Sequence, residues 1–337
     1  MEYEDRLRQV ASGILDASGA PGAVVAVVID GQLWTAGIGY ATYEGTVPIS
    51  PGARFGAYSI TKTVIAAIVM RLVERGEMDL DAPIGRYMPG LVTGADVPLR
   101  LLLNHSGGFP DYGGIAAYRD DVQDHPESPW TTGEFLSRTM RDGMLFAPGE
   151  GWRYSNIAYM LLRLAIERVT VTPFHRVVRR ETGLDTATSL ADMAALAPGY
   201  SGDPVENIIP RYHPGWVSHG LVTGTASELA RFLEALFRGA IVHPDSLNAM
   251  LEAIPVGETH PWMTTPSYGL GLMIDPDNRF GVVAGHTGGG PGYSTAAYHF
   301  PDVERRRVTG VALVNRDSED TATAIVFSLA EAVAAIR

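Results

Sequence analysis

Ser59 and Lys62 are the residues whose types and spacing most directly permit chemistry. They lie near the start of the stretch from Ala57 to Gly76, in which apolar residues recur at helical spacing before a glycine stop. Side chains three residues apart share a helix face, so the hydroxyl and the amine point the same way. The helix start also aims free backbone N–H groups at an oxyanion forming beside Ser59. A nucleophile, a base and part of an oxyanion hole therefore fit within one helical turn.

Lys62 is the one lysine of the chain, against 25 arginines. Arginine does not lose its proton in proteins, whereas a lysine can have its pKa lowered and act as a base. In the first turn of a helix the dipole disfavours a cation, which helps to keep this amine neutral as a general base must be. A capping serine followed by a solvated lysine is the alternative interpretation, so the pair needs partners elsewhere in the chain.

Two further stretches offer such partners. Tyr154–Asn156 follows a turn and precedes a helical pattern, so its phenol and amide can point into one cleft; helix capping by Ser155 or Asn156 is the alternative. His286–Gly290 follows a predicted strand, and its glycines permit a substrate to approach the backbone N–H groups. A loose hairpin is the alternative there.

Composition narrows the function classes. The 337 residues are 46% hydrophobic and 19% charged, as in an ordinary globular protein. A net charge of −12 argues against nucleic acid and anionic membranes as partners. The absence of cysteine removes disulfides, thiolate nucleophiles and cysteine-based zinc sites. No apolar leader is visible, so we expect a cytoplasmic protein if Met1 is the natural start.

Familiar motifs of other enzyme classes are missing from the sequence. There is no Gly-x-Ser-x-Gly elbow, no His-Glu-x-x-His pair and no glycine-rich phosphate loop. The histidines show no metal-ligand spacing beyond His213 and His219, which are interpreted as loop residues. We therefore expect no metal and no organic cofactor.

The periodicity of the chain predicts strands at both ends and helices between them. The predicted helices are 4–18, 57–76, 131–141, 156–169, 225–238, 245–253 and 320–336, with a short helix broken by prolines at 81–91 and a helical turn at 98–104. The predicted strands are 22–29, 32–40, 268–274, 280–284, 293–300 and 308–314. Residues 113–130 are predicted to be a surface excursion, and no prediction is made for 185–207.

The simplest packing of these elements is a mixed α/β (α+β) fold, in which both end segments form one antiparallel sheet flanked by helices. Residues 1–75 and 265–337 would form a discontinuous sheet domain, and residues 76–264 an inserted, mostly helical lobe. We expect the active site in the cleft between them.

In this order, the three stretches resemble the signatures of the serine β-lactamase and DD-peptidase superfamily, specifically its class C-like branch with DD-carboxypeptidases and esterases. Leu101–Gly108, Phe146–Gly149 and Tyr268–Gly271 also resemble family stretches, so the resemblance covers nearly the whole chain. It implies the β-lactamase/DD-peptidase-like fold and a serine enzyme that forms an acyl-enzyme with a small-molecule ester or amide.

The resemblance also implies a role for each site residue. Ser59 would attack a carbonyl, with Lys62 and Tyr154 as the proton-transfer pair. Asn156 would orient the amide of the substrate, and the N–H groups of Ser59 and Gly289 would form the oxyanion hole. The remaining expected substrate contacts are Tyr112, His286, Thr287 and Gly288.

One position departs from the pattern of β-lactamases in this branch, which usually have lysine where this chain has His286. A mostly neutral histidine anchors a substrate carboxylate weakly, so the resemblance implies slow β-lactam turnover. Two alternatives stay open. One is an acyltransferase whose amine or alcohol acceptor is held by Tyr112, Tyr154 and Trp216, and the other is a non-catalytic, penicillin-recognising binding module.

Overall fold

The structure is a computed structural model, and it describes residues 2–203, 205–318 and 320–335. Its eleven α-helices in these ranges are α1 Glu2–Ser18, α2 Ile60–Glu74, α3 Leu99–Leu103, α4 Ala116–Asp124, α5 Thr132–Thr139, α6 Asn156–Thr170, α7 Phe174–Thr182, α8 Leu190–Ala194, α9 Ala226–Phe237, α10 Pro244–Met250 and α11 Thr321–Ala335. None of the helices in the described ranges is long and apolar enough to cross a membrane.

The strands in the same ranges form one large sheet and two small ones. They are β1 Gly22–Ile29, β2 Gln32–Gly39, β3 Phe55–Gly56, β4 Asp185–Ala187, β5 Tyr200–Ser201, β6 Glu206–Asn207, β7 Leu221–Gly224, β8 Ile254–Pro255, β9 Ser267–Tyr268, β10 Met273–Asn278, β11 Gly281–Gly290, β12 Tyr293–Val303 and β13 Arg306–Val314. The large sheet has the order β2-β1-β13-β12-β11-β10-β9-β8, and its neighbours are antiparallel.

The pairing of β1 with β13 joins the two ends of the chain, as the strand pattern predicts. β1 is apolar on both faces: Val25 and Val27 pack in one core with α1 and α11, while Val24 and Val28 pack in a second core with α2 and α9. A strand covered on both faces has no polar alternation, which explains its continuous run of apolar residues. The mixed fold with an antiparallel sheet flanked by helices is confirmed.

Three predicted elements need correction. The strand predicted over 268–274 is observed as two strands, β9 at Ser267–Tyr268 and β10 at Met273–Asn278. The strand predicted to end at Ala284 continues to Gly290, because β12 pairs with it along this whole length. The helix predicted over 81–91 is reduced to a 3₁₀ turn at Ile84–Arg86, since prolines interrupt the segment. β8 lies before residue 265 yet pairs with β9 of the sheet. The division of the chain into a sheet domain and a lobe stays a prediction.

The other predicted helices and strands correspond to observed elements, with shifted ends. Residues 113–130 contain α4, of which no side chain is completely buried although Tyr118 and Val122 pack against the core, and residues 185–207 contain short strands and α8. Ile336, at the predicted end of the last helix, lies outside the described residues.

Candidate active site

Ser59 lies at the N-cap of α2, and surrounding strands hold that helix end in place. The N–H of Ala57 donates to the Val222 carbonyl of β7 at 2.8 Å, and the Val222 N–H donates to the Thr61 hydroxyl at 3.1 Å. The residue before Ser59, Tyr58, has φ +46°, in the left-handed region that non-glycine residues rarely adopt. Strain of this kind persists only where the surroundings enforce it, so the orientation of Ser59 is built into the fold.

Strand β11 passes directly against the same helix end. A Cβ on Gly288 would stand 2.4 Å from the Thr295 hydroxyl, 2.5 Å from the Ala57 carbonyl and 3.0 Å from the Ser59 nitrogen. Only glycine permits this approach. No atom of the described residues lies within 4 Å of a Cβ on Gly289, so this position is open. The structure therefore brings the predicted oxyanion-hole residues, Ser59 and Gly289, to one place.

The amine of Lys62 is fully buried and lies among polar side chains from distant parts of the chain. Its Nζ is 3.0 Å from Ser59 Oγ, 2.7 Å from Asn156 Oδ1 and 3.4 Å from His219 Nε2. It also lies 4.7 Å from the centre of the Tyr154 ring. Ser59, Lys62, Tyr154 and Asn156, all predicted from sequence, thus form one cluster.

Burial lowers the pKa of Lys62 from 10.5 to about 7, while the charge of Asp111 acts in the opposite direction. The expected helix dipole is therefore not the main cause; removal of the amine from water is. Burial raises the pKa of Tyr154 well above 10.0, against the opposing effect of its hydrogen bond with Ser59. The same physical cause thus leaves the amine able to accept a proton and the phenol able to donate one.

His286 is buried in β11 and hydrogen-bonded on both ring nitrogens. Its Nδ1 contacts the Thr287 carbonyl, which can only accept, so Nδ1 carries the proton. Its Nε2 then accepts from the Tyr268 hydroxyl at 2.8 Å. Burial lowers the pKa of His286 to about 3, and the charge of Lys62 acts in the same direction. The side chain is neutral at physiological pH, and its polar atoms are occupied within the protein.

Ser155 and Asn156 have separate tasks at the start of α6. The Ser155 side chain caps the helix by accepting from the Ala158 N–H at 3.1 Å, while Asn156 extends its amide to Lys62. The Asn156 N–H donates to Asp111 Oδ1 at 2.7 Å. The capping alternative is therefore correct for Ser155 and does not apply to the Asn156 side chain.

Four residues of this site were not predicted: His105, Asp111, His219 and Tyr268. His105 has φ +64°, accepts from the Ser155 N–H at 3.1 Å through Nδ1, and packs against the Tyr154 ring at 4.4 Å between centres. His105 and Asp111 flank the glycine-rich loop, whose resemblance to a family stretch was a usable signal. Nothing in the local sequence points from His219 to Lys62, since 157 residues separate them.

Tyr112 and Trp216 do not line an open surface, contrary to the expectation of a substrate or acceptor contact. Tyr112 is 3% exposed, and its hydroxyl accepts from Ser218, from Oγ at 3.0 Å and from the backbone N–H at 3.3 Å. Trp216 is fully buried and donates to the Pro126 carbonyl. Both belong to an aromatic cluster with Tyr118, because their large rings fill the interior beneath α4 and α5.

Cavities near and far from this cluster differ in chemistry. One of about 410 Å³ is lined by Thr287–Gly290 of β11, so Thr287 and its glycines face open space. A larger one, about 620 Å³, lies between α7 and β4 and includes Arg54. Arg54 is paired with Asp185 and Glu228, and none of the predicted catalytic residues is among the lining residues. Ser59, Lys62 and Tyr154 do not line the smaller cavity either, but that cavity runs along the strand whose Gly288 approaches Ser59, so it is the one beside the candidate site.

The part of the chain that the structure describes contains no group of three or more histidines, aspartates or glutamates arranged to hold a metal ion. The arrangement that it does contain is a serine hydroxyl beside a neutralisable amine, with a phenol and an open backbone strand close by. These groups permit nucleophilic attack on a carbonyl.

Comparison with known proteins gives consistent matches along the chain. The family model described as Beta-lactamase matches residues 7–334. Penicillin-binding protein 4* of Bacillus subtilis (strain 168) is 26% identical over 323 residues, which cover 89% of this chain and 69% of that protein. Esterase EstB of Burkholderia gladioli is 34% identical over 169 residues, 47% of this chain and 43% of the esterase.

Solved structures agree over a greater length. The D-amino acid amidase from Ochrobactrum anthropi SV3, complexed with D-phenylalanine, superposes with a TM-score of 0.81. It is 26% identical, and the match covers 98% of this chain and 99% of the amidase chain.

Proposed function

Because the chain belongs to the β-lactamase family, we propose that it is a serine hydrolase that acts through an acyl-enzyme on Ser59. Its substrate is a small-molecule ester or amide. The observation that carries the proposal is the 3.0 Å contact between the buried amine of Lys62 and the Ser59 hydroxyl. An amine with a pKa of about 7 is neutral in about half of the molecules at physiological pH. It can therefore take the serine proton.

The reaction has two halves. Ser59 Oγ attacks the carbonyl carbon as its proton moves to Lys62 Nζ, and the N–H groups of Ser59 and Gly289 receive the oxyanion. The tetrahedral intermediate collapses, Tyr154 gives its proton to the leaving group, and the proton on Lys62 replaces it. Water then attacks the acyl-serine ester by the same transfers in reverse, releasing the acid and restoring the Ser59 hydroxyl.

The neutral site favours substrates that do not depend on a carboxylate anchor. His286 has a pKa of about 3, so it offers no positive charge, and its ring nitrogens are held by Tyr268 and Thr287. This supports a place in the DD-carboxypeptidase and esterase branch rather than among efficient β-lactamases. The likeness to an amidase complexed with phenylalanine supports amino-acid amides and esters as the first substrates to test.

Transfer to an amine or alcohol remains the second prediction, and the structure contributes no observation in its favour. Tyr112 and Trp216, expected to hold the acceptor, are buried in the interior. An acceptor must compete with water at roughly 55 M, which requires an oriented binding surface. Measuring the ratio of transfer product to free acid with a panel of amines separates the two outcomes.

Labelling of the nucleophile tests the proposal. A fluorophosphonate should add once to the wild-type protein, at Ser59, and intact-mass spectrometry with peptide mapping detects the adduct. Ser59→Ala should abolish the adduct, whereas Ser137→Ala, which removes an exposed hydroxyl on α5, should not. Lys62→Arg keeps the charge but cannot deprotonate, so labelling should slow by at least about a hundredfold. Labelling of Ser59→Ala at the wild-type rate would contradict the proposal.

A further inference from the structure

His219 contacts the amine of Lys62 but has no role in the reaction proposed above. Its Nε2 lies 3.4 Å from Lys62 Nζ, and the histidine is 3% exposed. It stands in the short connection before β7, the strand that also holds the start of α2. Because this imidazole is buried, its Nε2 can hydrogen-bond with the Lys62 amine and not with bulk water.

The ring is neutral at physiological pH. Burial lowers the pKa of His219 well below 6.5, and the charge of Lys62 lowers it further. The backbone of Tyr58 favours a proton on the ring, and Nδ1, the nitrogen away from Lys62, makes no other hydrogen bond among the described residues. With the proton on Nδ1, Nε2 is an acceptor.

The number of hydrogens on the amine then decides its orientation. A neutral lysine amine has two N–H bonds and one lone pair. Asn156 Oδ1 at 2.7 Å takes one hydrogen, and His219 Nε2 takes the other. The remaining direction, toward Ser59 Oγ at 3.0 Å, is left to the lone pair. We infer that His219 is a positioning residue, which, together with Asn156, turns the lone pair of Lys62 toward the Ser59 hydroxyl. This inference rests on the proposed function.

The connection that carries His219 is held firmly on both sides. The Ser218 N–H and hydroxyl both donate to Tyr112, and the Ser218 carbonyl accepts from Arg163 Nε at 3.1 Å. Gly220 has φ +90°, and a Cβ there would stand 2.7 Å from the ring of Phe174. Tyr112 thus serves the site through the backbone beside His219. Two of these hydrogen bonds fix the backbone of Ser218, the residue next to His219, and the third fixes its side chain.

The other ionisable groups that face Lys62 come from several elements. They are Ser59 at the N-cap of α2, Tyr154 before α6, Tyr159 on α6, His286 on β11, and His105 and Asp111 on the loop after α3. Burial lowers the pKa of both histidines and raises that of Tyr154, so these three are uncharged near pH 7. Asp111 is the charged neighbour, and it is left unchanged in the variants below.

The test is the rate of Ser59 labelling by a fluorophosphonate, followed by intact mass from pH 5 to 9. In His219→Leu the ammonium form of Lys62 loses an acceptor, which destabilises it more than the neutral amine. The midpoint of the acidic limb should therefore move to lower pH, while the plateau rate falls about tenfold because the lone pair is no longer oriented. A variant that is only destabilised would show a lower plateau labelling rate, but the midpoint of its acidic limb would not move to lower pH.

Glutamine places a carbonyl oxygen near the position of Nε2. His219→Gln should therefore keep the wild-type midpoint of the acidic limb and most of the wild-type plateau rate. Asparagine is one methylene shorter, and His219→Asn should behave like leucine; this pair decides the matter if the leucine variant does not fold. His299→Gln is the matched control, since His299 is also buried but bonds to Thr309.

The outcomes separate the two proposals. If the wild-type protein is labelled only at Ser59 but His219→Leu keeps its plateau and limb, the positioning role is wrong and the hydrolase proposal stands. If glutamine and asparagine variants lose the same activity while folded, the acceptor argument is also wrong. If Ser59→Ala is labelled as fast as the wild type, the proposed function itself fails.

Discussion

Removal of the charge on Asp111 should make the enzyme more active at acidic pH. Asp111 raises the pKa of Lys62 against the larger effect of burial, which brings it from 10.5 to about 7. Each pKa unit corresponds to about 1.4 kcal/mol, so burial disfavours the ammonium form by several kcal/mol. In Asp111→Asn the opposing charge is absent, and the pKa of Lys62 should fall further.

The size of the effect follows from the fraction of neutral amine. With a pKa of about 7, roughly a tenth of the amine is neutral at pH 6. A neighbouring charge in a partly buried site changes a pKa by roughly half to one unit. A fall to about 6.3 would leave a third of the amine neutral at pH 6, so the rate there should rise about threefold relative to the plateau.

The assay is kcat/KM for a p-nitrophenyl ester from pH 5 to 9, and the measured quantity is the midpoint of the acidic limb. The asparagine Oδ1 can still accept from the Asn156 N–H, as Asp111 does at 2.7 Å. Asp124→Asn, an exposed change of the same charge on α4, controls for net charge and should not move the midpoint. A midpoint that stays in place or rises in Asp111→Asn would refute Lys62 as the base.

Three further predictions follow from the site. Lys62→Met should raise the melting temperature at pH 7 by several degrees. A lysine whose pKa is lower in the folded than in the unfolded protein lowers the free energy of unfolding. This destabilisation is complete below about pH 7 and disappears toward pH 10.5. Thermal unfolding at pH 7 and pH 10 measures the difference in melting temperature between the variant and the wild type, and a larger increase at pH 10 than at pH 7 would contradict the prediction. Gly288→Ala should lower the melting temperature, because its Cβ would stand 2.4 Å from the Thr295 hydroxyl, whereas Gly289→Ala, with open space, should leave it unchanged. Tyr154→Phe should lower kcat for an amide at least about tenfold more than for a p-nitrophenyl ester, whose leaving group needs no proton; equal losses, compared at pH 7, would remove Tyr154 as the acid.

Much of this molecule could be predicted because its local patterns agree with its tertiary packing. The stretch from Ala57 to Gly76 has a helical pattern and forms α2 from Ile60 to Glu74. The apolar runs of β1 and β13 required cover on both faces, which the helices supply. β11 was predicted too short, because its glycines at 288–290 contribute no propensity and are held in the sheet by β12.

The burial of individual side chains in the folded protein could not be predicted from the sequence. The pairing of Ser59 with Lys62 is visible at a spacing of three, but the cause of the lowered pKa is the surrounding protein. The local sequence around Tyr112 does not distinguish a tyrosine that contacts substrate from one that packs in the interior. Its position in the aromatic cluster therefore could not be predicted from the loop that contains it. His219 reaches Lys62 only through the fold.

One physical cause, removal from water, explains why five ionisable groups of the site favour their neutral forms. Burial lowers the pKa of Lys62, His105, His219 and His286 and raises that of Tyr154, so each group moves toward its neutral form. Attack by Ser59 then creates an ammonium on Lys62 and an oxyanion, and in a site with little water the charge of Asp111 and the backbone N–H groups of Ser59 and Gly289 must stabilise them. The same neutrality leaves no fixed cation for a substrate carboxylate. We propose that substrate selection then comes from the shape and hydrogen bonds of the open strand at Thr287–Gly290.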